Sequence, residues 1–294
     1  MAARPLSRRS FLALSGGVVL LAACGGDDDS GASDAGSTGP GSSASAGEYT
    51  ELSPGVVSSD LHVSREPQRL AFAMLAKEGY ASGGPARIAI APPGETPTDF
   101  TPATLHANGL PDERGIYVAD VVLPTAGNWQ GLVEYAGEEL PFAFAVRAEA
   151  AAPVAGSLAP TDPSPTTTDA LGVDPLCTRD PECPLHERSL ADLVGKGRPV
   201  AVLFGTPQFC QTQYCGPVLD LMLPLVPEYP GIDFVHVEIY NDDTATTLVP
   251  TVEDWGLPSE PWFFTIDESG EIVGRLDGAF DTDELRAELD RLTA

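Results

Sequence analysis

Residues 205–217 read GTPQFCQTQYCGP, and this stretch decides the fold of the second half of the chain. It contains Cys210 and Cys215, with four residues between them. The apolar run 199–204 (PVAVLF) before it has the composition of a buried strand, and residues 218–226 after it have a helical pattern. Two thiols at a strand-to-helix junction indicate redox or metal chemistry, because the amino end of a helix stabilises a thiolate.

Around this stretch the pattern alternates between helices and strands. Asp281 followed by Glu284 is a helix-start signature, and Gly270 marks a turn between two strands. We predict strands at 199–204, 232–240, 262–266 and 271–276, and helices at 189–194, from the cysteine loop to about 226, at 246–255 and from 281 to 292. The predicted order from residue 199 onward is therefore β-α-β-α-β-β-α.

This order resembles the thioredoxin fold over roughly residues 185–294. The segment 259–279, SEPWFFTIDESGEIVGRLDGA, resembles the part of that superfamily that carries a cis-proline, and Pro261 matches the proline. In the family this proline lies against the redox cysteines and shapes the groove for peptide substrates. The resemblance implies an α/β thioredoxin-like domain at 176–294, with Cys210, Cys215 and Pro261 as its catalytic residues.

The sequence departs from thioredoxins in two respects. Thioredoxins place two residues between their cysteines, and they keep a buried acid on the preceding strand, which is apolar here. On a regular helix Cys210 and Cys215 would lie about 140° apart, too far round the helix for a disulfide. A disulfide becomes feasible if the helix starts near Gly216 or Pro217, and proline is favoured at that position.

Four functions stay open for the pair. The preferred prediction is a thiol-disulfide oxidoreductase, with Cys210 as nucleophile and Cys215 as resolving thiol. The chain also resembles Q-type peroxiredoxins in its cysteine gap, but Thr206 and Pro207 are out of register and Glu260 stands near the expected arginine. A structural disulfide in a redox-inert binding module is the third possibility.

The fourth possibility is a copper chaperone similar to the Sco type, in which a histidine joins two thiols. His186 and His236 are the candidates, although neither matches the family's ligand position. We otherwise interpret His236 as a buried, hydrogen-bonded histidine. We expect no bound metal and no cofactor.

Two further cysteines, Cys177 and Cys183, stand in LCTRDPECPLH at residues 176–186. With Cys210 and Cys215 they allow three pairings, and the short gaps favour 177–183 and 210–215 in an oxidising compartment. We predict a structural disulfide between Cys177 and Cys183. A second redox pair, or a metal site with His186, are the alternatives.

Residues 49–148 have short alternating segments separated by Gly and Pro turns, which indicates an all-β immunoglobulin-like sandwich. The domain resembles small extracytoplasmic β-domains, including copper-resistance types, but His62, His106 and Met74 are scattered, and we interpret them as structural. We expect this domain to act as a spacer or to dock a partner. The predicted strands are 59–63, 68–75, 86–91, 115–123, 127–135 and 140–147. Residues 149–175, rich in Ala, Pro and Thr, are predicted to be a stiff, protease-sensitive linker.

The N-terminus has the features of an export signal at residues 1–23. SRRSFLAL resembles the twin-arginine motif, and LAAC, ending at Cys24, resembles the lipobox of bacterial lipoproteins. That family is cleaved before the cysteine, which then carries the lipid. The resemblance implies a protein anchored through Cys24 to the extracytoplasmic face of the cell membrane, with 24–48 as a disordered tether.

The charge balance restricts the partners. The chain has 43 Asp and Glu against 16 Lys and Arg, for a net charge of −27. Such a surface repels nucleic acid and anionic lipid headgroups, so we exclude nucleic acid as a partner. The expected partners are protein thiols or disulfides outside the cytoplasm, together with the membrane through the lipid.

Overall fold

The computed structural model describes residues 51–77, 79–111, 114–210 and 213–294. The described residues all belong to one compact unit, which spans residues 43–294. The predicted signal peptide, Cys24 and the whole predicted tether (24–48) lie outside the described residues. Among the described helices, none has the length and apolar character needed to cross a membrane.

The first half of the described chain folds into an antiparallel sheet, which confirms the all-β prediction. Its strands are β1 Ser53–Val56, β2 Gln68–Ala76, β3 Gly79–Tyr80, β4 Ala86–Ala91, β5 Thr101–His106, β6 Ile116–Val121, β7 Gly127–Tyr135 and β8 Glu138–Val146. They pair in the order β1-β2-β6-β5-β4-β7-β8, and β3 pairs with β2. Trp129 is buried in the core of this sheet.

The sheet has one continuous, barrel-like path, whereas the sequence predicted a sandwich of two separate sheets. The connection is β5, which pairs with β4 through Ala86 and Ala103 and with β6 through Thr104 and Val118. The predicted strand at 59–63 is also wrong, because only one isolated bridge, His62 with Arg147, forms there among the described residues.

A second, four-stranded sheet follows, with helices on both faces. Its strands are β9 Val200–Phe204, β10 Asp233–Val237, β11 Trp262–Ile266 and β12 Ile272–Asp277, in the order β10-β9-β11-β12. The helices are α1 Leu190–Leu193, α2 Cys215–Met222, α3 Pro250–Asp254 and α4 Thr282–Arg291, and a 3-10 helix, Leu223–Glu228, continues α2. From β9 onward the elements follow the predicted order β-α-β-α-β-β-α.

Both faces of this sheet are covered, which explains why its central strands β9 and β11 are fully buried and, apart from Thr265, apolar. Along β9, Val202 and Phe204 pack into a cluster with Trp255 near α3, while Leu203 packs into another with Leu219 of α2. This alternation has the two-residue period of a strand. The carboxyl end of β9 thereby leads directly into the cysteine loop between two packed layers.

Residues 149–175 lie along the second sheet, although their composition predicted a free spacer. Ala152, Ala159 and Val173 are buried in its core, and the Ala159 N–H donates to Gly270 O at 2.9 Å. Small apolar side chains between prolines can fill shallow gaps in a packed surface. The predicted domain boundaries themselves stay a prediction.

A polar interface joins the first sheet to the second half. Arg69 of β2 donates to Glu284 of α4 at 2.6 Å, and Arg275 of β12 donates to Asp60 at 2.9 Å. Asp281 caps α4 as predicted, accepting hydrogen bonds from two backbone N–H groups of the first turn, and His106 lies 3.3 Å from its carboxylate. Buried charge pairs of this kind hold the two halves in one arrangement.

Candidate functional site

The thiol pair lies where β9 gives way to α2. Cys215 is the first residue of α2 and is fully buried, whereas Cys210 is half-buried in the loop before it. Pro217 falls in the first helical turn, where its missing N–H costs no hydrogen bond. The helix therefore starts one residue before the predicted Gly216, and Cys210 belongs to the loop, as a disulfide requires.

The helix end directs a hydrogen bond at Cys210. The Cys215 N–H donates to the Cys210 sulfur at 3.3 Å. Burial, followed by a hydrogen bond with the Cys210 side chain, raises the pKa of the Cys215 thiol far above its ordinary value. Cys215 thus keeps its proton, and the hydrogen bond from its backbone N–H favours negative charge on the more exposed Cys210 sulfur.

Pro261 lies beside this pair. The Glu260–Pro261 peptide is cis, as the sequence predicted, and it immediately precedes β11. A Cβ atom placed on Gly205 would lie 3.6 Å from the Cys215 Cβ and 3.8 Å from the Pro261 Cβ. Gly205 therefore lies between Cys215 and Pro261, with both residues at ordinary van der Waals distance from its Cβ position.

The remaining surroundings of the pair are aromatic and acidic. Burial is the largest cause that raises the pKa of Cys215 and of Tyr240, and the charge on Glu260 raises both further. Tyr240 meets Phe209 edge-on, with ring centroids 6.3 Å apart. An acid at this position disfavours a thiolate beside it in either an oxidoreductase or a peroxidase, and it stands where the peroxidase alternative requires an arginine.

The first sheet braces the cysteine loop, a contribution that the sequence did not reveal. Arg114 donates to Gln213 O at 3.1 Å, and the Tyr214 hydroxyl donates to Arg114 O at 3.1 Å. The Tyr214 ring meets Tyr80 edge-on at 5.7 Å. Gln213 has a φ of 63°, a left-handed conformation that neighbouring contacts must maintain. The first half thus helps to position the cysteine loop.

Cys177, Cys183, His186 and His236 form a second cluster, and all four are buried. Hydrogen bonds, first from Cys183 and then from the two histidines, lower the pKa of the Cys177 thiol. The same bond raises the pKa of Cys183, because one proton is shared between the two sulfurs. The sequence named these residues as a metal-site alternative but not as one group of four.

The cysteines of the described region are all in the reduced form. The disulfides predicted at 177–183 and 210–215 consequently stay predictions. Both pairs are nevertheless local: the Cys183 N–H approaches the Cys177 sulfur at 3.5 Å, and Cys215 approaches Cys210 in the same way.

The position of His236 bears on the copper-chaperone alternative. Its Nε2 lies 3.0 Å from Gly205 O, and its Nδ1 lies 3.4 Å from the Cys183 sulfur. Both ring nitrogens are therefore engaged away from Cys210 and Cys215. His236 is buried and hydrogen-bonded, as predicted, and it contacts Cys183 and His186 of the second cluster.

The chain was compared with known proteins. No protein-family model matches it, and no curated protein does. Among solved structures it is similar to a Chlorobium tepidum protein described as the thiol:disulfide interchange protein DsbE, with a TM-score of 0.34 and 18% identity over 47% of this chain and 97% of that one. It is also similar to the PKD domain of the human VPS10 domain-containing receptor SorCS2, with a TM-score of 0.20 and 10% identity over 44% of this chain and 96% of that domain. At these values neither likeness assigns a family or an activity.

Proposed function

We propose that the protein is a thiol-disulfide oxidoreductase that acts outside the cytoplasm through Cys210 and Cys215. The observation that carries this proposal is the geometry of the pair: a half-buried sulfur accepts the first N–H of α2, a buried thiol lies beside it, and cis-Pro261 lies on the other side of Gly205 from Cys215. The β-α-β-α-β-β-α order from β9 onward supports a thioredoxin-like fold for this part. For the first sheet, the antiparallel strands support an immunoglobulin-like relationship.

The pair would act in two exchange steps. In the first, the Cys210 thiolate attacks one sulfur of a substrate disulfide, forming a mixed disulfide and releasing the other substrate sulfur as a thiolate. In the second, Cys215 loses its proton to water and attacks the Cys210 sulfur. The mixed disulfide breaks, the second substrate sulfur leaves, and two electrons have passed from the pair to the substrate. The reverse sequence oxidises a substrate dithiol.

The environment of Cys215 sets the expected rate. Its raised pKa makes the second step slow, since the thiol must first lose its proton. All five residues of β9 are apolar, so this strand supplies no acid to accept that proton. We expect slow exchange with general disulfides and a requirement for a specific protein partner.

We also propose that the chain is held at the membrane by lipid on Cys24. The LAAC sequence after a short apolar core supports this. Cys24→Ala is expected to release the protein into the soluble fraction or to block its processing. Unchanged fractionation and an unchanged mature mass would contradict the anchor.

Equilibration of the full chain in glutathione buffers of graded potential tests the chemistry. Peptide mapping by mass at each potential should show a 210–215 disulfide that forms and disappears reversibly. A pair that stays disulfide-bonded at every potential, even in strong reductant, would instead be structural and would favour the redox-inert binding module. Oxidation of the pair by peroxide faster than by disulfides would favour the peroxidase.

A further inference from the structure

We infer that Cys177, Cys183, His186 and His236 form a closed, four-coordinate zinc site. Three of the residues come from the segment that enters the second half, and His236 comes from β10. Because the segment folds back over the sheet, residues far apart in the sequence converge. The site is separate from Cys210 and Cys215 and does not depend on the redox proposal.

The spacing of the four potential ligand atoms fits a tetrahedron around one zinc ion. Zinc bond lengths of about 2.3 Å to sulfur and about 2.05 Å to nitrogen give tetrahedral edges of about 3.4 Å for N–N and about 3.6 Å for S–N. In the structure His186 Nε2 lies 3.2 Å from His236 Nδ1. The Cys183 sulfur lies 3.3 Å and 3.4 Å from these nitrogens, and the Cys177 sulfur lies 3.8 Å from His236 Nδ1. All four atoms lie within 4.8 Å of one another.

The hydrogen bonds behind the cluster orient its lone pairs inward. His236 Nε2 donates to Gly205 O at 3.0 Å, which leaves the Nδ1 lone pair directed at both sulfurs and at His186. A carbonyl behind a histidine ligand is the usual support that fixes its tautomer in metal sites. Since only one neighbour can donate a proton to Nδ1, the convergence of three groups on it is better explained by a shared cation.

The donor set selects the metal. Two thiolates and two imidazoles in a tetrahedral arrangement are typical of structural zinc sites, in which no position is left for water. The burial of all four side chains agrees with such a closed site. Two thiolates also neutralise a divalent ion exactly in formal charge, so the assembled site can be buried without a large electrostatic cost.

The site would steady the loop that carries the thiol pair. Gly205, whose carbonyl accepts from His236, begins that loop, and Thr178 next to Cys177 accepts a hydrogen bond from the Gln208 N–H at 3.2 Å. Thr178 is in turn held by Glu238. These contacts join the zinc site to the start of the loop from two sides.

The test uses the full chain purified in mild detergent. Metal analysis by mass spectrometry is expected to give one zinc per chain. Replacement by cobalt(II) is expected to produce the thiolate charge-transfer bands and the intense visible bands of tetrahedral cobalt at one equivalent. The cobalt spectrum is recorded on the wild-type protein. It therefore tests the proposal even if the substituted variants fail to fold.

Substitutions identify the ligands. Cys183→Ser and His186→Ala should each lower zinc affinity at least about tenfold. His106→Ala, in the separate cluster with Asp281 and Glu284, and Cys215→Ser should keep one zinc. The proposal would be overturned by absence of the cobalt bands, by a 177–183 disulfide in the purified chain, or by a preference for copper(I) over zinc. Full zinc binding by both ligand variants would also overturn it.

Discussion

Replacing Arg69 tests whether the two halves of the chain are held together by buried charge. Arg69 lies on β2 and donates to the two carboxylate oxygens of Glu284 at 2.6 and 2.9 Å and to Asp277 O at 3.1 Å. The side chains of Arg69 and Glu284 are only 14% and 9% exposed. Burial opposes the guanidinium charge, but Glu284 outweighs it, so the pKa of Arg69 is raised. The contact therefore links the first sheet to α4.

Arg69→Met keeps much of the aliphatic volume but leaves Glu284 buried without its arginine, with only His106, at 3.7 Å, as an ion-pair partner among the described residues. Removing one member of a buried ion pair costs about 3–5 kcal/mol, and the residual exposure here places the expected loss at about 3 kcal/mol. The loss in unfolding free energy is measured by urea unfolding of the described region at neutral pH, monitored by tryptophan fluorescence and circular dichroism. The wild type should unfold in one transition, because the halves share this interface.

Arg87→Met is the matched control. Its pair with Glu134 is 50% and 45% exposed, and such surface pairs contribute less than about 1 kcal/mol. Adding Glu284→Gln to Arg69→Met should recover part of the loss, since the orphaned charge is removed. If Arg69→Met costs no more than Arg87→Met, the interface does not hold the halves together and the reasoning fails.

Three further perturbations follow from the structure. The hydrogen bond to Asp281 raises the pKa of His106. The stabilisation from the protonated His106 and Asp281 is therefore complete below about pH 6.5, and it is lost as the pH rises through the higher pKa of the folded state. The stability difference between wild type and His106→Gln, about 1 kcal/mol at low pH, should therefore shrink in urea titrations toward alkaline pH; a difference independent of pH would contradict this. Tyr214→Phe removes the hydroxyl bond to the first sheet and should cost about 1 kcal/mol and slow thiol exchange, whereas Tyr229→Phe, at an exposed bond to α4, should leave exchange unchanged. Limited proteolysis should spare residues 149–175, because Ala152, Ala159 and Val173 are buried and backbone hydrogen bonds join the segment to the second sheet; early cleavage there would support the protease-sensitive linker that the sequence predicted.

The local patterns of the sequence predicted much of the second half. Three features depend on residues within a few positions of one another: the apolar β9 and largely apolar β11, the Asp281 cap, and the cis bond at Pro261. The start of α2 was also readable, because Pro217 restricts where a helix can begin. Such features need no knowledge of the rest of the fold.

Long-range features could not be read in this way. β5 is mostly exposed and lacks apolar alternation, so nothing local marked it as the strand that joins β4 to β6. His236 joins Cys177 and Cys183 only because the chain folds back over β10. The bracing of the cysteine loop by Arg114 likewise connects residues about a hundred positions apart.

Trapping of a mixed disulfide tests the central claim most directly. In Cys215→Ser the resolving thiol is absent, so the covalent complex between Cys210 and a substrate cannot be released. We expect a reducible band of higher mass when this variant is expressed in its native compartment, with a partner peptide linked to Cys210 by mass spectrometry. Cys210→Ser, which keeps the buried thiol, should give no such band. If Cys215→Ser traps no partner, or if Cys210→Ser traps one equally well, Cys210 is not the nucleophile of a thiol-disulfide oxidoreductase.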